Sequence, residues 1–327
     1  MGLRGYVVKR AAYSIILVLL VITINFAIFM VRSPLESLAS EKRLRREQIE
    51  ELERRFGLLD PLHIRYLKYL QNLLTFEFGY SYRSGESISE EVFTRLSNTL
   101  ALCITAEVIA VTIGLILGVI ASYKRGRIID TSLSAFSVVT NGLPVFWIGM
   151  LLILIFSYSL GWFPSGHSFP PEWAIPGRKP TNFLIELAVR LSHLFLPALT
   201  LVILSVGGYI LLTRASMLEV LGEDYLTTLK AKGLSDRKIL FKHALKNASL
   251  PLITQAAIAF GFTLSGALVT ETVFTYPGLG MWIWDSIEAW DYPALQAIFY
   301  LVSLCVIIAN FVVDLVYGVV DPRIRYG

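Results

Sequence analysis

The sequence predicts an all-α integral membrane protein with six transmembrane helices, and three observations carry the prediction. Hydrophobic residues make up 55% of the 327-residue chain and charged residues only 17%. Mean hydropathy is +0.62, far from the balance of a water-soluble domain. The apolar residues gather into runs of about 20 or more, the length at which a helix crosses the roughly 30 Å hydrocarbon layer. The short connections between these runs alternate between base-rich and base-poor.

Six such runs are legible, over residues 11–31, 99–122, 133–160, 194–213, 252–270 and 294–320. The third and sixth are long enough to tilt or to begin outside the hydrocarbon. The first follows a basic N-terminus, as a secretory signal would. Its 21 residues exceed a signal's apolar stretch, and only a weak small-residue site follows, near Ser37 and Ala39. Orientation follows from the bases. The N-terminus, the loop 124–127, the loop 214–251 and the tail hold 15 Lys and Arg, against 3 in the short loops 161–193 and 271–293. Both termini, 1–10 and 321–327, are therefore expected in the cytoplasm. The remaining 11 bases lie between Arg32 and Arg95, in a segment long enough to be translocated regardless of charge.

That external region, 32–98, reads as helical. Residues 41–57 form a charged helix with favourable pairs from Glu50 to Arg54 and from Glu51 to Arg55. Two readings of it are open, a solvated helix or a contact for an external protein. The stretch that follows is expected to be a small amphipathic cap packed on the outer ends of the spans, with no core of its own.

Several chemistries are excluded by what the chain lacks. There is no Cys-x-x-Cys and no His-Glu-x-x-His, and His63, His167, His193 and His243 fall in four different loops, so no metal site is expected. Cys103 and Cys305 lie inside spans as packing residues. A phosphate-binding loop needs a Gly-rich cradle followed by Lys, and no Gly-Lys dipeptide occurs. No nucleotide-hydrolysing loop of this kind is therefore expected in the chain, and no nucleic-acid partner is indicated.

Intramembrane charge is sparse. Glu107 lies about two turns into the second run, where it either faces a water-filled path or is neutralised in a buried hydrogen bond. Asp314 shares a helical face with Asn310, Tyr317 and Asp321, which predicts an interhelical polar network. Gly114 and Gly118 form a Gly-x-x-x-Gly pair that permits close helix approach. After the fifth run, Pro277, Gly278 and Gly280 turn the chain, and Trp282, Trp284 and Trp290 suit the headgroup boundary. This segment is either a structural anchor or a gate.

The most informative loop is 224–251, DYLTTLKAKGLSDRKILFKHALKNASLP. Met217, Leu221, Tyr225 and Leu229 recur every fourth residue, which predicts one helical stripe facing other protein. Gly233 ends that helix, because glycine takes the left-handed conformation that closes a helix, and Ser235 is a good N-cap for the next. The second helix, from about Asp236, carries Arg237, Lys238, Lys242 and Lys246, and Pro251 marks the next apolar run. The product is a helix-turn-helix elbow.

In Tyr225, Ala231, Lys232, Gly233, His243, Ala244, Leu245, Asn247 and Pro251 this loop resembles the coupling loop of binding-protein-dependent ABC importer permeases, and in particular the B-type subunit of the oligopeptide and dipeptide branch. It departs from the family's Glu-Ala-Ala at Thr227, Thr228 and Leu229. The resemblance covers nearly the whole chain. Further matches are Asp60-Pro61, Phe78-Gly79 and Ser81, then Pro144, Phe146 and Trp147, then GALVTETVFTYPGLG at 266–280 and Asp291-Tyr292-Pro293.

The resemblance implies the six-helix type I permease fold in a cell (inner) membrane, forming half of a solute path with a homologous C-type permease. It implies two cytoplasmic ATPases that hydrolyse ATP-Mg and an extracytoplasmic solute-binding protein; the chain itself would hold no cofactor. A short helix at about 223–232 would dock on the ATPase. The coupling residues carried over are Asp224, Tyr225, Thr228, Leu229, Ala231, Lys232, Gly233, Leu234, His243 and Asn247. Candidate pathway residues are Glu107, Asn141 and Trp147. The implied solute is a di- or oligopeptide, with an oligosaccharide or chelated nickel as alternatives. A proton-coupled secondary transporter would instead show midplane carboxylates and inverted pairs of broken helices.

Overall fold

The computed structural model describes residues 3–30 and 59–320. The charged helix expected over 41–57, the small-residue site near Ser37 and the tail 321–327 lie outside the described residues. Regular structure among the described residues is helical, apart from one isolated bridge between Tyr80 and Ser87. The helices are α1 (Leu3–Met30), α2 (Leu62–Thr75), α3 (Ile88–Tyr123), α4 (Ile128–Gly142) and α5 (Val145–Leu152), which continues as a π-helical stretch Ile153–Ser159. Next come α6 (Phe183–Leu221) and α7 (Asp224–Ala231), and then α8 in three consecutive stretches, Asp236–Lys238, the wider π turn Ile239–Ala244 and Leu245–Ala248. The chain ends with α9 (Leu250–Val273), α10 (Leu279–Glu288) and α11 (Tyr292–Val320).

Each of the six apolar runs is helical. α1, α3, α6 and α11 are each long and apolar enough to span a membrane, and α9 adds 24 residues. The third run corrects the expectation of one continuous span, because α4 and α5 meet at 102°. Pro144 is the cause. It supplies no amide donor, and its ring forces Leu143 out of the helical region to φ −82°, ψ 138°. α6 is longer than expected, at 39 residues, with Pro197 in its interior and the Asn182 side chain accepting the Leu184 amide at its start, 2.9 Å away.

The chain divides into two compact units, one of Met1–Ser97 with Gly278–Gly327 and one of Asn98–Pro277. The first packs α2 and α10 with α1 and α11 around Ile22, Phe26, Leu73, Phe78, Trp282 and Ile298. Asn25 donates to the Gln296 carbonyl at 3.0 Å, joining α1 to α11. Asp291 is buried, accepting the Ser81 hydroxyl and, at 3.0 Å, the Tyr82 amide, so two residues of the family pattern pin the 79–88 turn to the start of α11. Asp314 takes part in an interhelical polar network, as expected, and its partners come from α1. Its ion pair is with Arg10 of α1, at 3.1 Å, and its carbonyl accepts the Tyr6 hydroxyl at 3.0 Å. Trp282 is buried beneath the Arg95 guanidinium rather than placed at a boundary, whereas Trp284 and Trp290 are exposed.

The second unit is built on close helix contacts. A Cβ on Gly114 or Gly118 would overlap the Cβ of Tyr209 or Thr213, so α3 and α6 touch along the Gly-x-x-x-Gly face. Gly207 does the same for α4, where its Cβ would stand 2.5 Å from the Thr140 hydroxyl. Within lipid this close approach matters, because helices there associate by van der Waals packing rather than by escape from water. At the other end, Gly166 packs against the Phe274 carbonyl and its own carbonyl meets His193 Nδ1 at 2.7 Å. Glu271 is fully buried and accepts the Thr99 hydroxyl at 2.6 Å. Burial, followed by that carboxyl, pushes the nearby Tyr276 hydroxyl up to about 12.

Candidate functional site

The elbow is built from its glycines outward. α6 stops at Gly222, and Glu223 turns extended at φ −78°, ψ 139°, so the stripe Met217, Leu221, Tyr225, Leu229 lies on two helices rather than one. The eight-residue α7 then closes with a paired set of bonds. The Leu234 amide reaches the Leu229 carbonyl at 3.3 Å, and the Gly233 amide reaches the Lys230 carbonyl at 3.0 Å. Gly233 stands at φ +77°, a conformation that a Cβ disfavours. These are the two bonds of a Schellman closure, and Leu229 and Leu234 provide its apolar contact. Ser235 occupies the next N-cap position, but its hydroxyl makes no capping bond.

What fixes the elbow is a small core of its own. Met217 is fully buried with Val119, Leu226, Ile239, Leu240 and Ala244, so α7 and α8 fold back on the C-terminal ends of α3 and α6. The Asn247 amide donates to the Tyr225 hydroxyl at 2.9 Å across the bend. Asp224, Thr227, Thr228, Ala231, Lys232 and Gly233 are left exposed on the outer side. His243 and Leu234 are half-buried and belong to the elbow's interior rather than its face. The exposed side of α8 is basic, with Arg237, Lys238, Lys242 and Lys246.

The pairing of two residues that support the elbow has no sequence signal. Arg214, one turn before Met217, grips Asp130 with both guanidinium arms, Nε to Oδ1 at 2.5 Å and NH2 to Oδ2 at 2.9 Å. Oδ2 also accepts the Gly126 amide at 2.9 Å. Asp130 is almost fully buried, and the fork geometry satisfies its charge. The C-terminal part of α6 is thereby tied to the first turn of α4.

The candidate pathway residues separate. Asn141 and Trp147 are exposed on either side of the Leu143–Pro144 break, whereas Glu107 is buried and accepts the Tyr209 hydroxyl. Among the described residues no group of three or more His, Cys, Asp or Glu is placed to hold a metal ion.

With this geometry in view, residues 111–326 match the family described as binding-protein-dependent transport system inner membrane component, and residues 3–103 match the N-terminal part of such components. The chain belongs to this family. The permease is 38% identical over 303 residues to the di/tripeptide transport system permease protein DppB of Pseudomonas aeruginosa, covering 90% of each chain. It is 35% identical over 327 residues to the oligopeptide transport system permease protein AppB of Bacillus subtilis, covering 99% of this chain and 100% of the other. The dipeptide transport system permease protein DppB of Escherichia coli is 35% identical over 316 residues, 93% of each chain. The permease also shares its fold with a chain of the inward-facing MetNI methionine ABC transporter, with a TM-score of 0.55 at 16% identity over 71% of this chain and 96% of that one. It is a transport subunit of a membrane, and the elbow is its candidate site.

Proposed function

We propose that this permease forms half of the transmembrane path of an ATP-driven importer for di- and oligopeptides delivered by an external binding protein. A homologous second permease supplies the other half, and two cytoplasmic ATPases carry ATP-Mg. The observation that carries this reading is the elbow, an exposed polar helix held on a core that includes the C-terminal ends of α3 and α6. A helix so held passes a push on α7 directly to α6 and α3. The peptide assignment is supported by full-length kinship to permeases named for peptides.

In this mechanism ATP binding closes the ATPase pair, draws the coupling helices together and tips the permeases outward, and hydrolysis resets them. Asp224, Thr228, Ala231, Lys232 and Gly233 meet the ATPase, while Tyr225, Leu229, Leu234, His243 and Asn247 hold α7 on its core. Asn141 and Trp147 are assigned to the path and Glu107 to the α3–α6 interface. Both termini lie in the cytoplasm. Reconstituting the complete assembly in liposomes with its binding protein tests the solute. Labelled dipeptide should accumulate only with ATP; accumulation of an oligosaccharide or a nickel chelate in its place would overturn the peptide reading.

A further inference from the structure

The first unit contains a cavity of about 190 Å³ that no part of the transport reading uses. It lies between α2, the 77–82 segment and the first turns of α11. Its depth relative to the membrane can be read from its walls. Pro293, Gln296 and Ala297 line it, and they stand one to five residues into the apolar span that begins at Tyr292, within about 8 Å of its end. α2 gives the same depth independently. Tyr66 bonds Thr23 at 2.9 Å and packs on Phe26, which lie eight and five residues before the end of the apolar run 11–31, about 12 Å and 8 Å along a helix. The cavity therefore lies beside the margins of two apolar helices, within reach of a lipid headgroup at their ends.

The neighbourhood fits that depth. On the side of α2 away from the cavity, Ile64, Leu67 and Leu74 share an exposed apolar stripe, as in helices that lie in a membrane interface. On the cavity side stand Arg65, Lys68 and Asn72. Lys68 is paired with Asp60 at 2.6 Å, which leaves two of its three protons for another acceptor. Tyr69 also lines the cavity, and its buried hydroxyl has no hydrogen-bond partner. Arg65 and Lys68 suit the oxygens of a phosphate, and the Glu77 carboxylate suits an attached ammonium. The volume admits a headgroup and excludes acyl chains.

We propose that this cavity binds the phosphate headgroup of a single membrane phospholipid, held by Arg65 and Lys68 and seated beside Asn72 and Glu77. The site depends on the chain spanning a membrane, and not on its solute, its orientation or its ATPase.

Native mass spectrometry of the delipidated full-length permease, titrated with dioleoylphosphatidylethanolamine, tests it. One lipid should bind with an affinity that falls about tenfold or more in the Arg65→Gln/Lys68→Gln variant. The affinity should stay unchanged in Arg83→Gln, an exposed base outside the cavity. Asn72→Trp, which fills the cavity from an exposed position and leaves both bases in place, should lose the same lipid. Millimolar inorganic phosphate should not displace it. Undiminished lipid binding in both variants would overturn the proposal, as would equal competition by inorganic phosphate. A photo-crosslinker at residue 72 that captured the binding protein and no lipid in intact membranes would overturn it as well.

Discussion

Asp130 carries its charge with little solvent contact, and it persists there because Arg214 and the Gly126 amide satisfy both of its oxygens. Removing one partner strands the other. Asp130→Asn and Arg214→Gln should each cost about 3 kcal/mol. The double variant should lose little more than either single one, because the two residues act as one unit. Thermal unfolding of the purified variants in detergent measures this, and simply additive losses would show that the pair is not coupled. These residues are 84 positions apart, so nothing in the sequence joins them. Gly233, by contrast, was legible, because a helix closure demands a residue tolerant of φ +77° and the pattern supplied it. Ser81 and Asp291 were each visible as family residues, but only the fold brings the hydroxyl to the carboxylate.

At the scale of elements, composition predicts the apolar helices well, since length and hydropathy are local quantities. It fails at joints. The fourfold recurrence of Met217, Leu221, Tyr225 and Leu229 runs straight through Gly222 and Glu223, where the backbone leaves the helix and resumes it in α7. Pro144 likewise divides one apolar run into α4 and α5, a bend that hydropathy cannot register. The Gly114 and Gly118 pair shows the opposite case, a weak sequence signal with a definite role. Gly118→Leu should force α3 from α6 and destabilise the permease by roughly 1–3 kcal/mol, read as a lower melting temperature. Ala231 differs because it is exposed on α7. Ala231→Trp should leave the melting temperature unchanged while ATP hydrolysis by the assembled importer no longer drives uptake; normal uptake would remove α7 from the docking face.

At the scale of the whole molecule, each of the two units has its own core, and the second contains the elbow and the helices it packs on. That division bears on the transport proposal, because Met217 packs α6 against α7 and α8 and the Arg214–Asp130 pair ties α6 to α4. The most direct test is cross-linking in membrane vesicles that hold the complete importer. With cysteine at position 231 in place of Ala231, the permease should form a cross-link to the ATPase from the cytoplasmic face, and its yield should change when ATP binds. A cysteine there that reacts only from the external face, or never meets the ATPase in an importer with full uptake, would contradict the account.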